Sequence, residues 1–275
     1  MSAYTIVNND FIPADKASVL ITDLAVQRGY GIFDFFKTIN GRPVFLDDHL
    51  DRFYHSANQM RLTVKQNRDE LKTLLFELMN RNNLPDSGVR ITLTGGYSPD
   101  GYELVSPNII IAQQPLKINT EINRQGIKII TYPHQRQMPQ IKSIDYLMAI
   151  WLQPLMKERG ADDILYQDNG LLRESPRSNF FLVTHGNEIL TCNTQVLPGV
   201  IRKKLLSLNG QDFTVQETPI TLDDLKNCKE AFITSSTKNI LPVTEIDGQV
   251  VGDGQAGEIT VQLYYKLQEL IAAGS

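Results

Sequence analysis

The chain has 275 residues, a formal net charge of −4, and 41% apolar against 21% charged residues. That balance excludes a disordered chain and gives room for one or two buried cores. Mild acidity without a basic block argues against a nucleic-acid partner, and no apolar run approaches the roughly 20 residues of a membrane helix. The segment Met1–Asp10 shows no basic stretch followed by an apolar one, so no signal peptide is expected. Cys192 and Cys228 lack metal-ligand spacing, and His49, His55, His134 and His185 form no i,i+4 pair. The expectation is a cytoplasmic protein with reduced thiols and no metal site.

Tyr4–Val7, the turn Asn8-Asn9-Asp10 and Phe11-Ile12 read as strand, turn and strand. Gly29–Thr38 is rich in β-branched and aromatic residues and ends at the hairpin signal Asn40-Gly41. Leu46, Leu50, Phe53, Ala57 and Met60 recur at helical spacing, with Asp47 and Asp48 in the first turn. A second helix carries Leu71, Leu74, Leu75 and Leu78. Val89–Thr94 alternates, placing Arg90, Thr92 and Thr94 on one face, and Asn108–Ala112 reads as a buried strand.

Gln113–Lys117 breaks the strand pattern with a proline and reads as a link between two halves. Next come the strand Gly126–Thr131, a loop from Pro133 to Pro139, and a helix from about Tyr146 to Arg159, bent at Pro154 and stopped by Gly160. Asp168-Asn169-Gly170 and His185-Gly186-Asn187-Glu188 predict consecutive hairpins around Leu171–Leu182. A helix follows Pro198-Gly199, then the strand Ala231–Thr234, a hairpin at Asp247-Gly248, and a final helix with Ile259, Leu263, Leu267 and Leu270.

Several polar residues stand where chemistry is possible. Glu174 ends a strand and precedes the bend Ser175-Pro176-Arg177-Ser178, which sets one carboxylate among many donors. Lys142, in Ile141-Lys142-Ser143, opens the helical segment up to Leu147; taken alone it reads as a solvated lysine. Arg52 can pair with Asp48 at i,i+4 spacing or serve an anion. Pro198 and Gly199 leave free N–H groups at a helix start, at Val200 and Ile201, and Thr234–Thr237 clusters hydroxyls after a strand.

Taken together, these motifs resemble the active site of fold-type IV pyridoxal-phosphate aminotransferases, the group holding D-amino acid and branched-chain aminotransferases. The resemblance covers nearly the whole chain. It implies an α+β fold of two domains: a smaller α+β domain over residues 1–114, a linker over 115–120, and a larger β-rich pseudo-barrel domain over 121–275 that binds the cofactor, with the active site shared across a homodimer. It implies pyridoxal 5'-phosphate as cofactor, Lys142 as the lysine that joins its aldehyde, and Glu174 as the partner of its protonated ring nitrogen. Arg52, the backbone of Val200 and Ile201, and Ser235 and Ser236 are implied as phosphate anchors. Relatives often carry threonine where Ile201 stands, so only the backbone can serve there. Tyr146 matches a tyrosine that bonds the cofactor's phenolic oxygen. Arg177 departs from the small residues usual after the glutamate.

The substrate side departs further. The loop Gly95–Tyr102 has Asp100 where bacillar D-amino acid aminotransferases carry a carboxylate-binding arginine. Arg28 and Arg90 can replace it. Arg28 lies in a segment whose match in relatives reaches toward the neighbouring subunit's active site, and Arg90, on a strand fit for burial, needs a carboxylate partner, which is a substrate, Asp34 or Asp100. Arg28-Gly29-Tyr30-Gly31-Ile32-Phe33-Asp34 with Arg90 is similar to an atypical subgroup of D-amino acid transaminases from Bacteroidota-type bacteria. The implied reaction passes the amino group of a D-amino acid to 2-oxoglutarate or another 2-oxo acid by a ping-pong cycle. An L-branched-chain aminotransferase, an aminodeoxychorismate lyase of the same fold and a cofactor-binding module without turnover are the alternatives.

Overall fold

A computed structural model describes residues 3–210 and 213–274, which divide into two compact units: 3–118 with 141–145 and 274, and 119–140 with 146–210 and 213–273. The first unit contains β1 (Tyr4–Val7), β2 (Asp10–Pro13), α1 (Leu24–Arg28), β3 (Gly31–Ile39), β4 (Arg42–Pro43), α2 (Leu46–Gln59), α3 (Arg68–Asn82), β5 (Ser87–Thr94) and β6 (Ile109–Pro115). The six strands form one antiparallel sheet in the order β2-β1-β6-β5-β3-β4.

One face of that sheet is apolar because strand side chains alternate. Ile32, Phe36, Val89, Ile91, Leu93 and Ile111 pack there against Leu50, Phe53 and Ala57 of α2 and Leu71, Leu75 and Leu78 of α3. The i,i+3/i,i+4 stripes of both helices thus do what their spacing predicts. Asn67 caps α3, its side chain accepting from the backbone of Asp69 and Glu70 while Glu70 accepts from the Asn67 N–H. Asn40 and Gly41, both at positive φ, close the β3–β4 hairpin.

The second unit contains β7 (Ile127–Pro133), α4 (Leu147–Trp151), α5 (Gln153–Glu158), β8 (Asp163–Asp168), β9 (Leu171–Leu172), β10 (Glu174–Ser175), β11 (Ser178–Val183), β12 (Ile189–Thr191), α6 (Val200–Leu206), β13 (Val215–Glu217), α7 (Leu222–Lys226), β14 (Glu230–Ser235), β15 (Asn239–Ile246), β16 (Gln249–Val250) and α8 (Glu258–Ala273). Its mixed sheet runs β13-β12-β11-β14-β15-β7-β8-β9, with β10 on β11 and β16 on β15. The fold class is therefore α+β, helices on an antiparallel sheet in one unit and a larger, curled mixed sheet in the other. No helix among the described residues is long and apolar enough to cross a membrane.

Five local expectations are corrected. The Gln113–Lys117 stretch does not interrupt the sheet: β6 continues to Pro115, opposite Ser87, because an edge of the ladder tolerates a residue without N–H. The segment before Gly31 is not strand; Asp23 caps α1 and Gly29, at φ 65°, ends it. The helix from Tyr146 is not merely bent at Pro154 but broken at Leu152 into α4 and α5. The Lys142 segment does not open a helix. Phe33 donates its N–H to the Lys142 carbonyl (2.9 Å) and Ile144 to the Gly31 carbonyl (3.1 Å), so it lies extended along β3. Finally, α8 buries Thr260, Leu263, Tyr264, Leu267 and Ile271, a stripe rotated from the expected one. Glu230 fixes its start by accepting from the N–H groups of Ile259 and Thr260 and the Thr260 hydroxyl.

Candidate functional site

In the first unit, β3 and α2 build a buried charge cluster. Asp34 points from β3 toward α2 and is fully buried. Arg52 grips it with two parallel bonds, Nε to Oδ2 and Nη2 to Oδ1, each 2.8 Å, and His49 Nδ1 lies 2.7 Å from Oδ1. Burial alone raises the Asp34 carboxyl, but Arg52 and then His49 outweigh it and hold the acid well below the usual carboxylate range. Burial also pushes His49 down, against the pull of Asp34. Arg52 therefore pairs with Asp34, from another element, in addition to any anion its Nη1 can reach. The helix α2 carries His49 and Arg52 to this point, three residues apart on one side.

The opposite face of the same sheet carries the candidate amine. Lys142 Nζ lies 4.5 Å from the centre of the Phe33 ring, and the Arg90 guanidinium lies 4.2 Å from the centre of that same ring. Lys142 is half-buried, its backbone N–H donating to Ser56 Oγ at 3.3 Å. Arg90 is exposed, not buried as its apolar neighbours on β5 suggest, because its side chain leaves on the face away from α2 and α3. Of the two carboxylates considered for it, Asp34 is on the other face with Arg52, and Asp100 accepts from Ser98 Oγ and the N–H groups of Tyr102 and Glu103. Arg28 ends α1, exposed, with Nη1 donating to the Gln27 carbonyl at 3.0 Å. Lys37 on β3 is buried, which pushes its amine down to about 8.

In the second unit, Glu174 is buried and ringed by donors. Arg136 donates Nε (3.0 Å) and Nη2 (2.7 Å) to Oε1. Asn179 Nδ2 (3.2 Å) and the Leu197 N–H (2.9 Å) reach Oε2. The bend Pro176-Arg177 folds β10 onto β11 and sets Glu174 opposite Asn179, which in turn lies opposite Thr234. Directly opposed residues share a sheet face, so these three side chains project together. The Thr234 hydroxyl is buried there with no hydrogen-bond partner. Arg177 itself is exposed at the bend.

Asn179 also donates to the Leu197 carbonyl at 2.8 Å, just before α6. Gly199 is the residue before α6, and a side chain there would collide with Asn179 Oδ1. Val200 and Ile201 follow with buried side chains, leaving only their backbone N–H groups for any ligand. Ser235 and Ser236 are half-buried in the β14–β15 turn, where the Lys238 N–H donates to Ser235 Oγ at 3.2 Å and Lys238 Nζ reaches Asp163 Oδ2 at 2.8 Å. Tyr146 is half-buried at the start of α4.

The sequence points to Lys142, Arg52 and Glu174 but does not place Asp34, His49, Arg136 and Asn179 in these clusters. Asp34 and His49 do carry a signal, each being a polar residue amid an otherwise core-facing pattern. Arg136 carries none, since its loop has no periodicity.

Residues 31–246 match the model of the family described as amino-transferase class IV. The chain is 30% identical over 273 residues to the D-alanine aminotransferase of Bacillus licheniformis, covering 96% of this chain and 95% of that one. It is 29% identical over 275 residues to a putative branched-chain-amino-acid aminotransferase of Methanocaldococcus jannaschii, with the same coverage. Two solved branched-chain amino acid aminotransferases share its fold: one from T.th., with pyridoxamine 5'-phosphate (TM-score 0.90, 22% identity, 99% of this chain and 95% of that one), and one from Escherichia coli (TM-score 0.89, 23% identity, 100% and 96%). With a match that spans most of its length, this chain belongs to the class IV aminotransferase family.

Proposed function

We propose that the protein is a pyridoxal 5'-phosphate-dependent transaminase that moves the amino group of a D-amino acid to 2-oxoglutarate or another 2-oxo acid. The observation that carries this reading is the Phe33 ring, with an amine and a guanidinium each within 4.5 Å of its centre. An amino acid presents an amino group and a carboxylate a few bonds apart, and Lys142 and Arg90 offer chemistry for one each.

The residues present suit the cofactor. A ring nitrogen that is protonated needs an anionic acceptor held in place, and Glu174 is a buried carboxylate fixed at both oxygens. The partnerless Thr234 hydroxyl on the same face is an orphan that a bound group would relieve. A phosphate needs positive charge and N–H donors, for which Arg52, the Val200 and Ile201 backbone, and the Ser235 and Ser236 hydroxyls are available. When bound, pyridoxal phosphate supplies an aldehyde that takes up amino groups and a ring that stores the electron pair released at the α-carbon. Lys142 Nζ takes the α-proton and returns it at the other end of the transfer, Glu174 keeps the proton on the ring nitrogen, Tyr146 donates to the phenolic oxygen, and Arg90 and Arg28 orient carboxylates. The exposed apolar side chains of Leu147, Ile150 and Trp151 on α4, and of Leu20, Ile21 and Val26 around α1, support a homodimer in which Arg28 serves the neighbouring subunit.

An L-branched-chain aminotransferase is the second reading, favoured by the near-equal identity to the Methanocaldococcus jannaschii relative and by the aromatic Phe33 and Phe35 beside Arg90. A spectral half-reaction with single amino acids separates the two. D-glutamate should bleach the visible band of the yellow holoenzyme and L-leucine should not; bleaching by L-leucine alone would overturn the choice. Lys142→Ala should abolish both the band's loss on borohydride and turnover, and full turnover in that variant would end the mechanism.

A further inference from the structure

We propose that Arg136 is the positioning residue that makes Glu174 an effective partner for the cofactor's ring nitrogen, an inference that rests on the reading of Glu174 given above. Donors reach Glu174 from three different places in its unit, and they divide unequally. Oε2 is held by two neutral groups, Asn179 Nδ2 and the Leu197 N–H. Oε1 takes the charged guanidinium, through Nε at 3.0 Å and Nη2 at 2.7 Å. Arg136 is itself tied down, with Nη2 also donating to the Pro139 carbonyl, and its side chain is 19% exposed.

This geometry has two effects. A buried carboxylate with only neutral donors can meet its desolvation by taking up a proton, and a protonated Glu174 would turn a donor toward the ring nitrogen in place of an acceptor. The fixed positive charge of Arg136 opposes that proton and keeps Glu174 an anion. Both guanidinium bonds converge on Oε1 while Asn179 and Leu197 hold Oε2, so the two oxygens have separate anchors and the carboxylate resists rotation about its last torsion. With both oxygens pinned, the carboxylate is held in one orientation before any ligand arrives. Arg136 acts through Glu174 and touches no reacting atom.

The test uses the apo forms of the wild type, Arg136→Gln and Arg136→Lys, titrated at equilibrium with pyridoxal phosphate and with its 1-deaza analogue, in which the ring nitrogen is a C–H. The wild type should bind pyridoxal phosphate more tightly than the analogue. Arg136→Gln should weaken binding of pyridoxal phosphate by at least about tenfold, the scale of a lost charge-assisted hydrogen bond, and leave the analogue's affinity unchanged. Arg136→Lys should recover part of the difference. Equal weakening of both ligands would mean that Arg136 is only a structural support, and unchanged affinity for pyridoxal phosphate would mean that Glu174 does not need it; either result overturns the proposal. A wild type that binds both ligands equally would instead overturn the role of Glu174 itself.

Discussion

Arg52 and Asp34 are joined by two hydrogen bonds of 2.8 Å across a buried contact between α2 and β3. The pair uses two of the guanidinium's three nitrogens on a carboxylate and leaves Nη1. An arginine pinned in this way loses little freedom when an anion arrives, which is the preorganisation a phosphate site requires. Removing Asp34 should therefore do harm twice. Asp34→Ala strands a buried guanidinium and should lower folding stability by about 3–5 kcal/mol in denaturant titrations. Where the folded protein persists, its affinity for pyridoxal phosphate should fall as well. Wild-type stability in Asp34→Ala would show that the cluster is not coupled to the core.

The same cluster predicts how the protein responds to acid. Asp34 in the folded chain sits below its ordinary value of 3.8, and His49 below its ordinary value of 6.5. For both groups the unfolded chain binds protons more readily, so each contribution is complete above the unfolded value and is lost as pH falls through the folded one. The cluster's contribution to stability should be flat above pH about 6.5, decline first through the histidine and then more steeply below pH about 4 through Asp34. Urea midpoints measured from pH 8 to pH 3 check this. The gap between wild type and Asp34→Asn should shrink toward the acid end, and a gap independent of pH would contradict the assignment.

What is legible in the sequence follows from how local its cause is. The hairpin turns at Asn40-Gly41, Asn169-Gly170 and Asp247-Gly248 are written in residues that accept positive φ, and all three close hairpins. The cores of α2 and α3 are written in their spacing. Lys142 reads as a helix start because Ser143–Leu147 has helical spacing, while pairing with β3, far away in the chain, decides its conformation. Arg90 reads as buried because Val89 and Ile91 are; alternation gives its face but not what covers that face. Arg136 and Glu174 are 38 residues apart, and only the tertiary fold brings them together.

Arg90 provides a test of substrate binding that is independent of the cofactor. Its guanidinium is exposed and stacks on Phe33, so Arg90→Leu should leave stability nearly unchanged, as surface substitutions do. If it binds a carboxylate, kcat/KM for D-glutamate should fall by roughly 10- to 100-fold, the range of a charge-assisted bond, with affinity for pyridoxal phosphate unaltered. An unaltered half-reaction with D-glutamate would remove Arg90 from the substrate site.

Gly199 offers the sharpest steric test. Its backbone angles, φ −67° and ψ 141°, suit any residue, so conformational freedom does not explain a glycine there. The constraint is Asn179, whose Oδ1 fills the place of a Cβ, while its Nδ2 donates to both Glu174 and the Leu197 carbonyl. Gly199→Ala must push Asn179 or the start of α6 aside. Overpacking of this kind costs about 1–3 kcal/mol, readable as a lowered melting temperature. Because Asn179 holds one oxygen of Glu174 and braces the turn into α6, the variant should also bind pyridoxal phosphate less tightly, whereas Gly160→Ala, with nothing within 4 Å of its Cβ position, should bind it normally despite the strain of its φ of 63°. Unchanged melting and cofactor affinity in Gly199→Ala would show that Asn179 yields freely and does not link the carboxylate to the helix.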